Sequence, residues 1–186
     1  MVTRRQDAPG ELELVRAFVN TLDIEGGADE LSTGAGLARW LQARGLLAEG
    51  GRTGQAERER AVAARAALRA LLVANNGGEL DPGAPDVLDV AARRAGIALR
   101  FLPDGTARQE PAAGGVDGAI GRVLAVVAVA QAEGTWPRLK ACRNGACLWA
   151  FYDHARNRSR TWCSMAVCGN RAKARAYRGR RSATGR

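Results

Sequence analysis

Four cysteines crowded into 27 residues constrain this chain more than anything else in it. Cys142, Cys147, Cys163 and Cys168 are its only cysteines, spaced C-x4-C-x15-C-x4-C. Two short-spaced pairs about 15 residues apart form the pattern of a zinc site. Each pair closes a knuckle that aims two thiolates at one point. The stretch between the pairs is long enough for a hairpin that brings them together. A tetrahedral Zn2+ takes four such sulfurs at about 2.3 Å. Disulfides or buried thiols are the competing uses. Disulfides are disfavoured in a reducing compartment, and a unit this small with few large apolar residues would hardly fold unaided. Four thiolates complete the coordination shell, so a structural zinc is expected rather than a catalytic one. Their excess negative charge calls for relief from backbone N–H groups and from Lys140, Arg143 and Arg171.

Charge follows the same division. The net charge is +9. Residues 137–186 hold 13 Lys and Arg against Asp153 alone, a balance of +12, which leaves −3 for the first 136. Such asymmetry points to a polyanion partner for the basic part, with a merely solvated basic face as the bland alternative. Within the basic part, Leu148 to Tyr152 reads as a strand with Trp149 and Phe151 on one side. Together with Trp162 these rings suit a small core over the zinc; base stacking would need them exposed. A turn-like segment, 153–160, then carries Arg156, Arg158 and Arg160, and Ala172 to Arg178 reads as a helix with Arg171, Arg175 and Arg178 along one stripe. Asn170 stands where it could cap that helix. The only histidine, His154, is read as solvent-facing rather than as a ligand.

The first 136 residues are rich in Ala, Leu and Val, a mix that favours helices. Glu11 to Leu22 places Val15, Phe18, Val19 and Leu22 on one face. Ser32 or Thr33 can cap a second helix lined by Leu37, Trp40 and Leu41. A third, Gln55 to Ala74, is expected to turn Ala63, Ala67, Ala70, Leu71 and Ala74 inward and Arg58, Arg65 and Arg69 outward. Pro85 opens a fourth helix and Gly96 closes it. The period then shifts to two over Ile97, Leu99 and Phe101, and Asp104-Gly105 predicts a hairpin turn with both positions at positive φ. Val116 to Glu133, apolar nearly all round, is expected at the centre of the bundle. The longest wholly apolar run, Val123 to Ala130, is shorter than the roughly 20 residues of a membrane span, and no leader is expected, which puts the chain in the cytoplasm. No catalytic constellation occurs, so an enzyme is not expected. Asn20 and Thr21 on the first helix can line a ligand pocket, or sit at its wet edge and bond back to its own carbonyls.

Taken together, Cys142-Arg143-Asn144, Cys147, Trp149, Phe151, Asp153, Arg156-Asn157, Ser159-Arg160, Trp162-Cys163-Ser164-Met165 and Cys168-Gly169-Asn170-Arg171 resemble the CGNR zinc finger over about residues 139–173. Thr161 stands where that family often has a second arginine, which puts a phosphate contact there in doubt. Phe18-Val19-Asn20-Thr21-Leu22 and Leu37-Ala38-Arg39-Trp40-Leu41 resemble the helical ABATE domain that normally precedes this finger. The resemblance implies a bacterial transcription regulator, linked by prediction to stress responses, whose finger binds DNA and whose body senses a ligand.

The expected fold is mainly α: a helical bundle with one β-hairpin over 8–136, then a small four-cysteine zinc module of knuckle, hairpin and helix over 137–181, then a disordered tail over 182–186. The expected DNA contacts are Arg158, Arg160, Asn170, Arg171, Lys173, Arg175 and Arg178. One basic module reads few bases, so sequence-specific binding would call for a homodimer or a partner. The alternative is an RNA-binding or protein-interaction zinc module without sequence-specific DNA readout.

Overall fold

The computed structural model describes residues 6–184, with 179–184 described by their backbone. Helix α1 (Leu12–Val19) buries Val15, Phe18 and Val19, as their spacing requires. It is shorter than expected. The chain leaves the helix at Asn20 and pairs β1 (Leu22–Asp23) with β2 (Ala28–Asp29), a short second hairpin that the sequence did not announce. Helix α2 (Gly34–Gln42) is capped by Thr33, whose Oγ1 accepts from the Gly36 N–H at 3.0 Å. Its Leu37, Trp40 and Leu41 are buried, and the Trp40 ring lies 5.4 Å from that of Phe18.

Helix α3 (Gln55–Asn75) corrects the expected orientation. Ala61, Ala64, Ala67, Leu68 and Leu72 are buried, while Ala63 is exposed. The rotation carries Arg65 and Arg69 inward, against expectation. Arg65 forks onto the Asp29 carboxylate at 2.5 and 2.9 Å and donates to Thr21 Oγ1 at 3.0 Å. Arg69 donates to the carbonyls of Val19 and Leu22 at 2.6 and 2.9 Å. The reason is the unforeseen hairpin. It leaves buried acceptors facing α3, and buried acceptors require donors.

Helix α4 (Ala84–Ala95) has Pro85 in its first turn and stops at Gly96, which takes φ +60°. Strand β3 (Ile97–Phe101) then pairs antiparallel with β4 (Ala107–Pro111). Only Gly105 in the connection has positive φ, and Asp104 Oδ1 accepts from the Thr106 N–H instead, so the turn is wider than the two-residue type. Helix α5 (Gly115–Ala132) is long and apolar enough by composition to cross a membrane, but it is mostly buried against α1, α3, α4 and β4 as the centre of this fold. Its approach to the hairpin is close: a Cβ on Gly121 would lie 2.5 Å from the Ala95 Cβ and 2.8 Å from the Pro111 Cβ.

After α5 a 3-10 turn at Trp136–Arg138 leads into β5 (Leu139–Ala141), which pairs with β6 (Ala150–Tyr152). Leu139, Ala141, Ala150 and Tyr152 belong to the same core as α1, α2, α3 and α5. A π turn at Met165–Gly169 runs straight into α6 (Asn170–Thr184). Of the tail expected over 182–186, residues 182–184 are helical backbone and 185–186 lie outside the described residues.

Candidate metal centre

The first knuckle begins where β5 ends. The Cys142 N–H donates to the Trp149 carbonyl, and the Asn144 carbonyl accepts from both Cys147 and Leu148 at 2.7 and 3.0 Å. Leu148 takes φ +47° to close this turn, a left-handed conformation that a leucine holds at a cost of about 1 kcal/mol. The strand expected over 148–152 therefore starts at Ala150. On the other side, the π turn carries Cys168 back toward Cys163, with the Gly169 N–H donating to Ser164 O at 3.0 Å. Gly169 leaves room there: a Cβ would lie 2.6 Å from Met165 Sδ and 3.3 Å from the Trp162 ring.

All four sulfurs are buried, and all lie within 4.8 Å of one another. Cys147 Sγ is 3.7 Å from Cys163 Sγ, and Cys163 Sγ is 3.8 Å from Cys168 Sγ. A tetrahedron with bonds of about 2.3 Å has edges of about 3.8 Å, so the cluster has the size zinc requires. The thiol chemistry points the same way. Hydrogen bonding with Cys147 pulls Cys142 far below the ordinary thiol range, while hydrogen bonding with Cys142 pushes Cys147 and Cys163 up. Crowded sulfurs sharing protons are what a dication replaces. One structural zinc held by Cys142, Cys147, Cys163 and Cys168 fits this chain.

Relief of the sulfur charge comes partly as expected, from backbone N–H groups: those of Asn144 and Cys163 act on Cys142, and that of Trp149 acts on Cys147. Asn144 Nδ2 reaches Cys168 Sγ at 3.8 Å. Lys140 and Arg143 serve elsewhere, on Asp153 and on the Asn76 carbonyl at 3.0 Å, while Arg171 pairs with Glu25 and its charge also acts on Cys168 and Cys147. Phe151 is buried against the cysteines, with Trp149 and Trp162 packed beside it, so the rings form the small core.

The basic turn after β6 is built from within. Lys140 Nζ, on a buried side chain, donates to Asp153 Oδ2 at 2.7 Å, to Arg158 O at 2.6 Å and to Arg160 O at 3.2 Å. Asp153, fully buried, also accepts from the Ala155 and Arg160 N–H groups at 3.0 and 2.9 Å. Neither residue was singled out from the sequence as a support. The available signal was a lone acid in a segment otherwise made of cations. Arg158, with φ +53°, turns its carbonyl to Lys140 while the residue as a whole is exposed.

The cations expected to meet DNA fall into two groups. Arg158, Arg171, Lys173, Arg175 and Arg178 are exposed, as is Asn170. Asn170 sits inside the continuous π-to-α run, and its Nδ2 donates to Ala166 O at 3.2 Å, so it does not cap a helix start. Arg160 is only half exposed. Its guanidinium donates to the carbonyls of Trp162 and Cys163 and lies 5.1 Å above the Phe151 ring. This arginine therefore holds the third zinc ligand's backbone. Arg160→Ala should lower finger stability by about 1.5–3 kcal/mol, the usual worth of charged hydrogen bonds, whereas Arg158→Ala should leave it unchanged. Thermal unfolding of both variants in excess zinc checks this.

Three asparagines tie the finger to the body. Asn20 Nδ2 donates to Ala150 O at 2.9 Å, and its Oδ1 accepts from the Ala150 N–H at 2.8 Å, pairing β6 as another strand would. Asn75 Nδ2 donates to Trp136 O and Leu139 O at 3.0 and 2.9 Å. Asn76 Nδ2 donates to Ala141 O and Thr161 O at 2.7 and 2.9 Å. Thr21 Oγ1 bonds back to Phe18 O at 2.7 Å while accepting from Arg65. Of the two readings for Asn20 and Thr21, Thr21 follows the bond back to its own helix, and Asn20 spends its amide on Ala150 across the seam. His154 is exposed, with Nε2 at 3.0 Å from Asp7 O, and takes no part in the sulfur cluster.

This arrangement defines a helical protein whose last segment is a four-cysteine finger closed by one structural zinc. Residues 138–181 match the model of the CGNR zinc finger. Residues 12–134 match the model of the ABATE family, described as "Putative stress-induced transcription regulator". The chain belongs to the ABATE family and carries a CGNR finger after the ABATE segment. A search among curated proteins found no match.

Proposed function

We propose that this chain is a cytoplasmic transcription regulator that binds duplex DNA through the exposed cations of α6 and of the turn around Arg158. The body would then carry the regulatory input. The observation that supports this reading most is the placement of those cations. Arg158, Arg171, Lys173, Arg175 and Arg178 are all exposed on one small zinc-held unit, beside a body of opposite net charge. A concentration of exposed cations of this kind tracks phosphates. The packed state of Trp149, Phe151 and Trp162 favours a duplex over a stacked single strand. The zinc keeps no open position, which favours a scaffold over a catalyst.

The test is titration of the zinc-loaded full chain with duplex DNA at several salt concentrations. Log affinity should fall with log salt at a slope of about −0.9 for each phosphate contacted. Lys173→Ala and Arg175→Ala should each make that slope shallower by about one, across all sequences. Absence of binding at about 50 mM salt would sink the proposal.

A further inference from the structure

Helix α4 and the strand after it expose an apolar surface. Val87 and Val90 on α4, with Leu99 and Phe101 on β3, are 38, 44, 65 and 73% exposed. Isolated exposed hydrophobics need no explanation, but Val87 and Val90 stand together at the rim of a groove, which marks an interaction surface. Beside Val87 and Val90 lies a groove of about 340 Å³, floored by Ala63 of α3, Ala91 of α4 and Ile120 of α5.

The charges on this face identify its occupant. Asp86, Val90 and Arg94 follow one another at four-residue steps and form one row. Asp86 and Arg94 are both exposed, and neither side chain has a hydrogen bond or ion pair among the described residues. Asp89 and Arg93, on the neighbouring row, pair with each other. Asp86 and Arg94 are about 12 Å apart along the helix, too far to meet. An acid at one end of an apolar row and a base at the other is complementary to a copy of itself run antiparallel. A twofold axis through Val90 sets each Asp86 against Arg94 of the second copy, and each Val87–Val90 ridge against the other copy's groove. The same axis brings the end of α4 beside the start of the second α4, and Leu99 and Phe101, exposed on the strand that follows α4, offer further apolar area to a second copy. A small apolar ligand would fill the groove but leave those two residues and both charges unpartnered.

We propose that the α4–β3 face is a homodimer interface, with the α4 helices packed antiparallel about a twofold axis near Val90. It does not depend on what the finger binds.

The test is the solution mass of the zinc-loaded full chain, by light scattering after gel filtration, over a concentration series. A mass of twice the 19.7 kDa chain is expected. Val90→Glu, at an exposed position that should not disturb folding, should weaken the dimer at least about tenfold. Asp86→Arg and Arg94→Asp each place like charges together and should weaken it similarly, while the double reversal should restore it. A monomer at every concentration would overturn the proposal, as would a dimer indifferent to Val90→Glu. A double reversal no better than its two parents would overturn the antiparallel pairing. Far-ultraviolet circular dichroism of each variant separates loss of association from loss of fold.

Discussion

Stripping the zinc should unfold the segment from Leu139 to Gly169 and lower the melting temperature of the whole chain. Apart from its seam with the body and the Lys140–Asp153 pair, little else holds that segment. Its own apolar core is Phe151 with the partly buried Trp149 and Trp162, packed on the four cysteines. Its strands are three residues each. Structural zinc in a small domain contributes an apparent 10–16 kcal/mol at neutral pH, far more than such a core supplies. The body is affected because Leu139, Ala141, Ala150 and Tyr152 are part of its core. Metal analysis should give one zinc per chain. Thermal unfolding with and without a strong chelator should show a lower midpoint, and Cys163→Ser should reproduce it without chelator. An unchanged midpoint after verified zinc removal would contradict the structural role assigned to the ion.

Lys140→Met should be the most damaging single change outside the cysteines. The methionine matches the lysine stem in length but leaves Asp153 as a buried, unpaired carboxylate. Breaking a buried pair in this way costs about 3–5 kcal/mol. Adding Asp153→Asn should recover part of the loss, because the remaining group is then neutral. The pH dependence separates this from a packing defect. Burial works to raise the Asp153 carboxyl, but Lys140 and the N–H groups of Ala155 and Arg160 outweigh it and hold it below the ordinary range. A carboxyl depressed on folding stabilises at pH above its unfolded value of about 3.9, and that stability is lost as pH falls through the lower folded value. With Lys140 gone, burial is opposed only by the N–H groups of Ala155 and Arg160, so the folded value rises above that of the parent chain. The stability deficit of Lys140→Met, measured against the parent chain, should therefore shrink as pH falls through the range between the two folded values. A deficit constant over that range would argue that the lysine acts by packing alone.

The sequence disclosed the parts that rest on local rules. Cysteine spacing gave the metal ligands, Ser32 or Thr33 a cap that proves to be Thr33, Gly96 a stop, and alternation over Ile97–Phe101 with Asp104-Gly105 a hairpin. What it hid were the demands made by distant residues. The orientation of α3 was misjudged because alanines lie on every face of that helix and cannot point it. Asp29, 36 residues away from Arg65, does the pointing. Arg160 looked like its neighbours Arg156 and Arg158 because all three alternate along the turn. Only the fold brings the carbonyls of Trp162 and Cys163 under its guanidinium. Asn20 was marked as unusual for a sound reason, a polar side chain on an apolar helix. Its partner lies 130 residues further on, so no local pattern reveals it.

The joint between the two family segments has a consequence for anyone who cuts the chain. A fragment beginning near residue 137 would keep its four ligands but lose its wall. Leu139, Ala141, Ala150 and Tyr152 would be laid open, and the Ala150 peptide would lose both bonds to Asn20. Such a fragment would be a sticky, cationic peptide whose adhesion to nucleic acid says little about the intact molecule. The complementary fragment, ending near residue 136, would carry the matching scar at Asn20, Asn75 and Asn76, each amide left to find water where it had a peptide group. Dissection by point substitution, with the chain left whole, respects how this protein is joined.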